Sequence, residues 1–458
     1  MKAGKRTLFG TDGIRGMAGS FPLDEATTRI IGRALGHYLA RSHTGARVVM
    51  GEDTRESSRW ITATVAAGLK EAGVAVESAG VLTTPGVAYL ARMGTFAAGV
   101  VISASHNPWT DNGIKVFGHD GYKLADAAEL EIEHEIFELI EKNNAGKTAP
   151  VPSLPATGGL HQAYVEWLAG HWNGNGKQRK ALGLKIVADC ANGAASALAG
   201  EVFAACGIEA QLIHHEPDGK NINENCGALH PEVVAQEVKR RGVALGVTFD
   251  GDADRCLFAD SRGRVVNGDG VTLLVARQMK ARNRLAGDVV VGTTMSNMGL
   301  EAVLRREGIR LLRAPVGDKY VLEEMQKSGA VLGGEQSGHI IFRDGDATTG
   351  DGLLTALRVL QIVAASGKRL EDLISDLVVF PQVIKNVRVR EKQPLEQIPQ
   401  VKRAIEEAEH QLEGDGRVVV RYSGTEPLAR VMVEAASEEQ MRRHAEAIAN
   451  AIQTALGA

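Results

Sequence analysis

Gly99-Val100-Val101-Ile102-Ser103-Ala104-Ser105-His106-Asn107-Pro108 begins as an apolar run and ends as a polar turn. Valine and isoleucine without alternation read as a strand buried on both faces, as in a parallel sheet covered by helices. The polar turn at its carboxyl end lies where open α/β sheets place ligand sites. Residues 47–50 read as another strand, 57–71 have helical periodicity and stop short of Gly73, and 74–76 read as a strand again. This is βαβ grammar. It restarts at 184–188, with a helix near 196–206 and a strand near 210–213. It restarts once more at 288–291, with a helix near 299–308 and a strand at 309–313.

The end of the chain differs. Residues 387–390 alternate, a helix follows to about 411, 417–421 and 429–434 read as strands, and a helix closes the chain. That pattern is an α+β unit with an antiparallel sheet. The expected fold class is therefore α/β: three similar mixed or parallel α/β domains plus a C-terminal α+β domain. The expected boundaries are 1–155, 156–260, 261–377 and 378–458. An acidic helix over 128–142 precedes a Pro-, Gly-, Thr- and Asn-rich stretch, 143–159, which reads as a linker.

The chain has 458 residues, room for several domains. It is 44% hydrophobic and 24% charged, which excludes disorder. Its net charge of −4 lacks the basic excess of a dedicated nucleic-acid binder. Glycine is abundant at 53 residues and aromatics are only 4%, which favours tight loops and close backbone approach over stacking platforms. The basic start has no apolar segment after it, so no signal peptide is read, and no apolar run is long enough to span a bilayer. Cys190, Cys206, Cys226 and Cys256 are widely spaced and read as single thiols of a reducing cytosol.

Five constellations carry chemistry. In the opening stretch Ser105 is placed on a turn, with Asp111-Asn112-Gly113-Ile114-Lys115 just beyond. A serine hydroxyl is a poor nucleophile without a base or cation, which His106 and Lys115 would supply; the alternative is a helix cap or Asx turn. Next comes Asp250-Gly251-Asp252-Ala253-Asp254-Arg255, after an apolar run. In an extended segment residues two apart share a face, so three carboxylates would line one side. A hard divalent cation relieves their repulsion, and all-oxygen ligands suit Mg²⁺. An EF-hand does not fit, because its sixth position is Arg255 and its twelfth Ser261; a solvated acidic turn is the alternative. Arg255 beside the carboxylates is a phosphate clamp.

Arg421-Tyr422-Ser423-Gly424-Thr425-Glu426-Pro427, with Arg430, reads as a phosphate cradle or as an ordinary turn between strands. Gly333-Gly334-Glu335-Gln336-Ser337-Gly338-His339 offers short polar groups to a sugar, and His339 is an acid/base, a phosphate donor or a structural residue. Residues 8–16 are glycine-rich without matching a nucleotide fingerprint, and Arg15 is an anion contact or a surface arginine. Gly146-Lys147-Thr148 is dismissed as a P-loop, since Glu141 stands where its first glycine belongs. His214 and His215 are left as solvent-facing or supporting residues.

Together and in this order, 10–16, 103–108 with 111–115, 250–255, 334–339 and 421–427 resemble the α-D-phosphohexomutase family over essentially the whole chain. The resemblance implies four domains around a central cleft, each supplying one loop. It implies that Ser105 carries a phosphoryl group, that Asp250, Asp252 and Asp254 hold one Mg²⁺ together with Ser105, and that Lys115 and Arg255 assist transfer. Arg15, His106 and His339 are added as catalytic candidates from the residues themselves. Glu335 and Ser337 would contact sugar hydroxyls. Arg421, Ser423, Gly424, Thr425 and Arg430 would grip the phosphate that is not reacting. Lys115 or His339 would take the hydroxyl proton.

The loop reads Glu-Gln-Ser-Gly, as in the amino-sugar branch, where the phosphomannomutase/phosphoglucomutase branch usually has Glu-Met-Ser-Gly. The implied reaction is therefore the interconversion of glucosamine 6-phosphate and glucosamine 1-phosphate through a 1,6-bisphosphate intermediate and activator. Such an isomerase feeds UDP-N-acetylglucosamine and cell-wall precursors; the alternative is glucose and mannose phosphates. Implied partners are a small phosphosugar, no nucleic acid and no membrane, in a cytoplasmic enzyme compatible with a homodimer. Ala253 stands where many members have glycine, a change expected to be tolerated unless the position needs φ > 0.

Overall fold

The computed structural model describes residues 7–142, 154–172, 184–345, 347–412, 414–423 and 427–457. The chain divides into two compact units, Met1–Met295 with Leu312–Ile374 and Ser296–Leu311 with Ser375–Ala458.

The restarted βαβ grammar forms three sheets, in the first unit except for Arg310 and Leu311 at the start of one strand. In the first, the order is Phe9–Gly10, Gly13–Met17, Asp111–Gly118, Ala98–Ile102, Arg47–Glu52, Ala75–Val81. The last three strands run parallel to one another, and the remaining pairings are antiparallel. Ala98–Ile102 is buried at every residue, as its unbroken apolar run requires. Helices Glu25–Ser42 and Glu56–Glu71 cross closely through glycine: a methyl on Gly32 would come 2.2 Å from the Val65 carbonyl oxygen. This is one use of the glycine excess that lies outside any ligand loop.

The second sheet repeats the plan in the order Val265–Val266, Cys256–Ala259, Leu245–Phe249, Lys185–Asp189, Glu209–Ile213. Its last three strands are parallel, and Cys256–Ala259 turns back antiparallel on Leu245–Phe249. The third sheet has the order Arg310–Ala314, Val289–Thr293, Leu332–Gly334, Ile340–Phe342. There Leu332–Gly334 runs parallel to Val289–Thr293, and Ile340–Phe342 turns back antiparallel.

The three sheets therefore place one loop each in the same topological position, between a buried parallel strand and its antiparallel partner. Those loops are 103–110, 250–255 and 335–339. The second unit holds an antiparallel sheet, Gln382–Arg388, Leu428–Ala435, Gly416–Tyr422, with Leu428–Ala435 central. Helices Pro399–Gln411 and Glu438–Leu456 supply Val401, Ile448 and Ile452 to a core shared with Val431 and Val433.

Local details differ from the sequence reading. Asp111–Gly118, given no element from sequence, is a strand, with Asn112, Gly113 and Lys115 buried in the sheet. The helix expected near 196–206 is a 3-10 turn, Ala194–Ala197, followed by the short helix Ala199–Ala205. Of the linker, 143–153 and with it Gly146-Lys147-Thr148 lie outside the described residues.

Candidate active site

Ser105 stands on the loop after Ala98–Ile102, 1% exposed, with φ +52. That left-handed backbone is unusual for a residue with a Cβ and costs on the order of 1 kcal/mol. The turn is closed locally by the Ser105 amide donating to Ser103 Oγ (3.0 Å). Ser105 Oγ donates to Asp250 Oδ2 at 2.5 Å and lies 3.2 Å from His106 Nδ1. Burial, with Arg255 and Arg15 adding, pushes His106 down to about 4, so its ring is neutral at pH 7.

Asp250, Asp252 and Asp254 are buried and their carboxylates converge, ligand atoms within 4.8 Å of one another. The route differs from the expected one. Strand Leu245–Phe249 has ended, and 251–254 form a turn, with Ala253 at φ +54. Ala253 thus occupies the conformation in which glycine would be unstrained. Among the described residues, Asp252 Oδ1 and Asp254 Oδ1 are buried without a hydrogen-bond partner. Burial and its two neighbours push the Asp250 carboxyl well above the usual carboxylate range. Orphaned, mutually repelling carboxylate oxygens of hard character are what a Mg²⁺ ion needs, so the residues fit that group.

Lys115 lies opposite. It is fully buried, with Nζ 2.8 Å from both Asp12 Oδ2 and Asp252 Oδ2 and 3.7 Å from Asp254 Oδ2. Against burial, these carboxylates hold its ammonium above the ordinary lysine range. Lys123 bridges Asp12 and Asp318, tying the loop beside the first sheet to the helix Asp318–Ser328 within the same unit. Asp252 also accepts from Thr84, through Oγ1 at 2.5 Å and through the backbone amide at 3.0 Å. Thr84 opens the helix Thr84–Met93, so the positive end of that helix meets the acidic loop.

His339 is buried, with Nδ1 3.7 Å from Asp254 Oδ2. Burial disfavours its cation, yet Asp254, Asp318 and Glu335 outweigh that and push it up to about 9. The Gly350 amide lies 3.1 Å from Nε2, so the neutral ring, when formed, accepts there and keeps its proton on Nδ1 toward Asp254. Glu335 Oε1 accepts from the Gly317 amide (2.9 Å). Arg15, His106, Asp254, Arg255, Ser337 and His339 line one cavity of about 540 Å³, with Asp12 and Glu335. Ser105, Lys115, Asp250 and Asp252 lie behind that lining, tied to Asp12, His106 and Asp254 by the contacts above. Four of the five motifs thus converge in the first unit.

The fifth lies in the second unit. Arg421 and Arg430 stand directly opposite each other on adjacent strands, and Ser423 is buried at the hairpin end. Gly424 and Thr425 lie outside the described residues. Lys392 donates to the Ser423 carbonyl at 2.6 Å, a basic residue that no motif pointed to. Sequence reasoning also passed over Asp12, Asp53, Arg55, Thr84, Lys123 and Asn223. Only Asp12 carried a signal, its place inside the glycine-rich loop of 8–16. His214 has its Nδ1 3.1 Å from Asp189 Oδ1, close to Cys226. Asp189 also accepts from the Ala191 and Gly227 amides, so it stitches a strand end to a loop.

Known proteins resemble this chain over nearly its whole length. Models of the phosphoglucomutase/phosphomannomutase alpha/beta/alpha domains I, II and III match residues 6–143, 162–263 and 267–379, and that of the C-terminal domain matches 384–451. The phosphoglucosamine mutase of Koribacter versatilis is 59% identical over 456 residues, covering 99% of this chain and 98% of that one. The phosphoglucosamine mutase of Solibacter usitatus is 51% identical, covering 99% of each. A phosphoglucomutase/phosphomannomutase family protein of Burkholderia thailandensis superposes with a TM-score of 0.78 at 25% identity, covering 98% of this chain and 99% of that one. The chain belongs to the phosphoglucomutase/phosphomannomutase family, the α-D-phosphohexomutases.

Proposed function

We propose that this protein interconverts glucosamine 6-phosphate and glucosamine 1-phosphate, with Ser105 as the phosphoryl carrier. The observation that carries the reading is the contact of Ser105 Oγ with Asp250 at 2.5 Å, inside a buried carboxylate triad beside a cavity lined with arginine and histidine. An unphosphorylated serine has no need of such a setting, whereas phosphoserine needs its charge of roughly −1.5 to −2 balanced. Asp250, Asp252 and Asp254 would hold Mg²⁺ with Ser105. When bound, that ion supplies neutralisation of phosphoryl charge.

The remaining work belongs to the chain. Arg255 and Arg15 draw the phosphoryl oxygens, and Glu335 and Ser337 orient the sugar hydroxyls. The sugar hydroxyl oxygen forms a bond to phosphorus as the Ser105 Oγ–P bond breaks. Lys115, one of the two candidates expected from sequence, is held as an ammonium by its carboxylates and has no lone pair to receive the hydroxyl proton. That proton passes to the neutral form of His339, giving a sugar 1,6-bisphosphate. Reversal with the other phosphate regenerates phospho-Ser105. Arg421, Ser423, Gly424, Thr425 and Arg430 hold the phosphate that is not reacting, and His106 orients the Ser105 hydroxyl. Phosphoryl transfer asks for positioning and charge neutralisation above all, and this is what these residue types supply. On this reading the bisphosphate also restarts enzyme that has lost its phosphate, and the protein acts in the cytoplasm. The domains run over 1–155, 156–260, 261–377 and 378–458.

The test is a comparison of kcat/KM on glucosamine 1-phosphate, glucose 1-phosphate and mannose 1-phosphate. The amino sugar is expected to lead. Faster turnover of either neutral sugar phosphate overturns the substrate assignment, and net release of inorganic phosphate overturns the mutase.

A further inference from the structure

Ser105 holds a left-handed backbone with a side chain attached, so something outside its own turn must over-determine it. Two side chains do. Arg55 is among the largest fully buried side chains of the chain and is ion-paired with Asp53. Its Nη2 donates to the Ser105 carbonyl at 3.1 Å and to the Asn107 carbonyl at 2.6 Å. Asn223 Nδ2 donates to the same two carbonyls, at 2.9 and 3.3 Å. The two donors come from different sheets. Arg55 follows strand Arg47–Glu52 of the first sheet, and Asn223 lies in a loop of the second, where its amide donates to Ala191 O (2.9 Å).

The anchorage behind Arg55 is equally cross-linked. Asp53 accepts from the Arg55 amide (3.0 Å) and from Ser58 Oγ (2.7 Å), and its own amide donates to Ile102 O (3.0 Å). The Glu56 amide donates across to Gly219 O (2.9 Å). A methyl on Gly251 would come 2.5 Å from the Ser105 carbonyl oxygen, so that oxygen is pressed against the metal loop itself. Burying an ion pair is rarely a source of net stability, because desolvation of both charges offsets their attraction. What Arg55 gains there is a rigid fork of donors at a fixed place.

We infer that Arg55 and Asn223 are positioning residues that clamp the Ser105 and Asn107 carbonyls and so hold Ser105 Oγ in line for phosphoryl transfer. Neither touches the reacting oxygen. They act through the backbone, fixing the left-handed turn that aims Oγ at the aspartates. This rests on the reading of Ser105 as the phosphoryl carrier.

The test uses the full chain and two substitutions, Arg55→Lys and Asn223→Gly. Arg55→Lys keeps the charge and loses the fork. Asn223→Gly removes the donor while accepting the φ of +60 found there, so the fold is kept. Phosphate on Ser105 is counted by peptide mass, and transfer to glucosamine 6-phosphate is timed per phosphorylated site. Each variant is expected to transfer about 10²-fold more slowly, with KM unchanged, since a misplacement of about 1 Å costs that much. The double variant is expected to fall little further, because both side chains serve the same carbonyls. A wild-type rate per phosphorylated Ser105, with only Tm or the active fraction lowered, overturns the clamp and leaves the carrier reading intact. If Arg55→Lys does not fold, Asn223→Gly alone decides. Absence of phosphate on wild-type Ser105 while mutase activity persists overturns the carrier reading, and the clamp with it.

Discussion

The acidic loop at 250–255 and the hairpin carrying Arg421 and Arg430 both concentrate charge of one sign, yet they are built in opposite ways. The acidic loop is buried and gripped from every side, by Lys115, Thr84, Ser105 and the Gly352 amide. The arginine pair lies on a three-stranded sheet with a core of its own, and Arg421 is exposed. Like charges directly opposite on neighbouring strands are unfavourable unless an anion joins them. The difference teaches a division of labour. Groups that meet the transferring phosphoryl are fixed beforehand, because transition-state stabilisation depends on pre-set dipoles and charges. Groups that hold a spectator phosphate need only affinity, and this can be built on a separate unit.

The sharpest way to break this contrast is to weaken the rigid side. Asp252→Asn, or removal of Mg²⁺ by a chelator, is expected to lower kcat on the order of 10³-fold or more. Mg²⁺ should raise the Tm of the wild type and leave that of Asp252→Asn unchanged. Retention of activity after chelation would show that the carboxylates serve packing alone.

Rigidity has a backbone side too. Gly13 has φ +82, and a methyl there would come 2.3 Å from the Ile114 carbonyl oxygen in the strand that bears Lys115. Gly13→Ala is therefore expected to destabilise by about 2–4 kcal/mol, read as a lower urea midpoint with unchanged slope.

On the adaptable side, Arg421→Ala is expected to raise KM about 10–100-fold, the equivalent of a lost charge-assisted hydrogen bond or two, with little change in kcat. A collapse of kcat instead would mean that the two regions do not divide the work as argued. The smallest effect is expected from Ala253→Gly. It releases the φ of +54 inside the acidic loop and should stabilise by at most about 1 kcal/mol in thermal unfolding, with activity kept.

Much of this was legible in the residues because the relevant signals are local. Unbroken apolar runs such as 99–102 mark parallel strands, and the helix Pro399–Gln411 ends where its periodicity does. The acidic triad is visible because its members are two residues apart, even though the chain brings them together by a turn and not by extension. Asp111–Gly118 was harder, since its polar start hides a buried strand.

What the residues could not tell is pairing at a distance. Asn223 reaches Ser105 across 118 positions and Lys115 reaches Asp252 across 137. Asn and Arg are also ordinary surface residues, so nothing local marks Arg55 as buried. The left-handed conformations of Ser105 and Ala253 belong to turns closed by tertiary contacts, and no propensity announces them.

The central claim is that Ser105 carries the phosphoryl group that the sugar receives. It is tested most directly by a single-turnover rapid-quench experiment with enzyme labelled at the phosphate of Ser105 and unlabelled glucosamine 6-phosphate in excess. Label should leave the Ser105 peptide and appear in the sugar bisphosphate at least as fast as kcat. Label that stays on Ser105 while glucosamine 1-phosphate accumulates, or that emerges as free phosphate, contradicts the account.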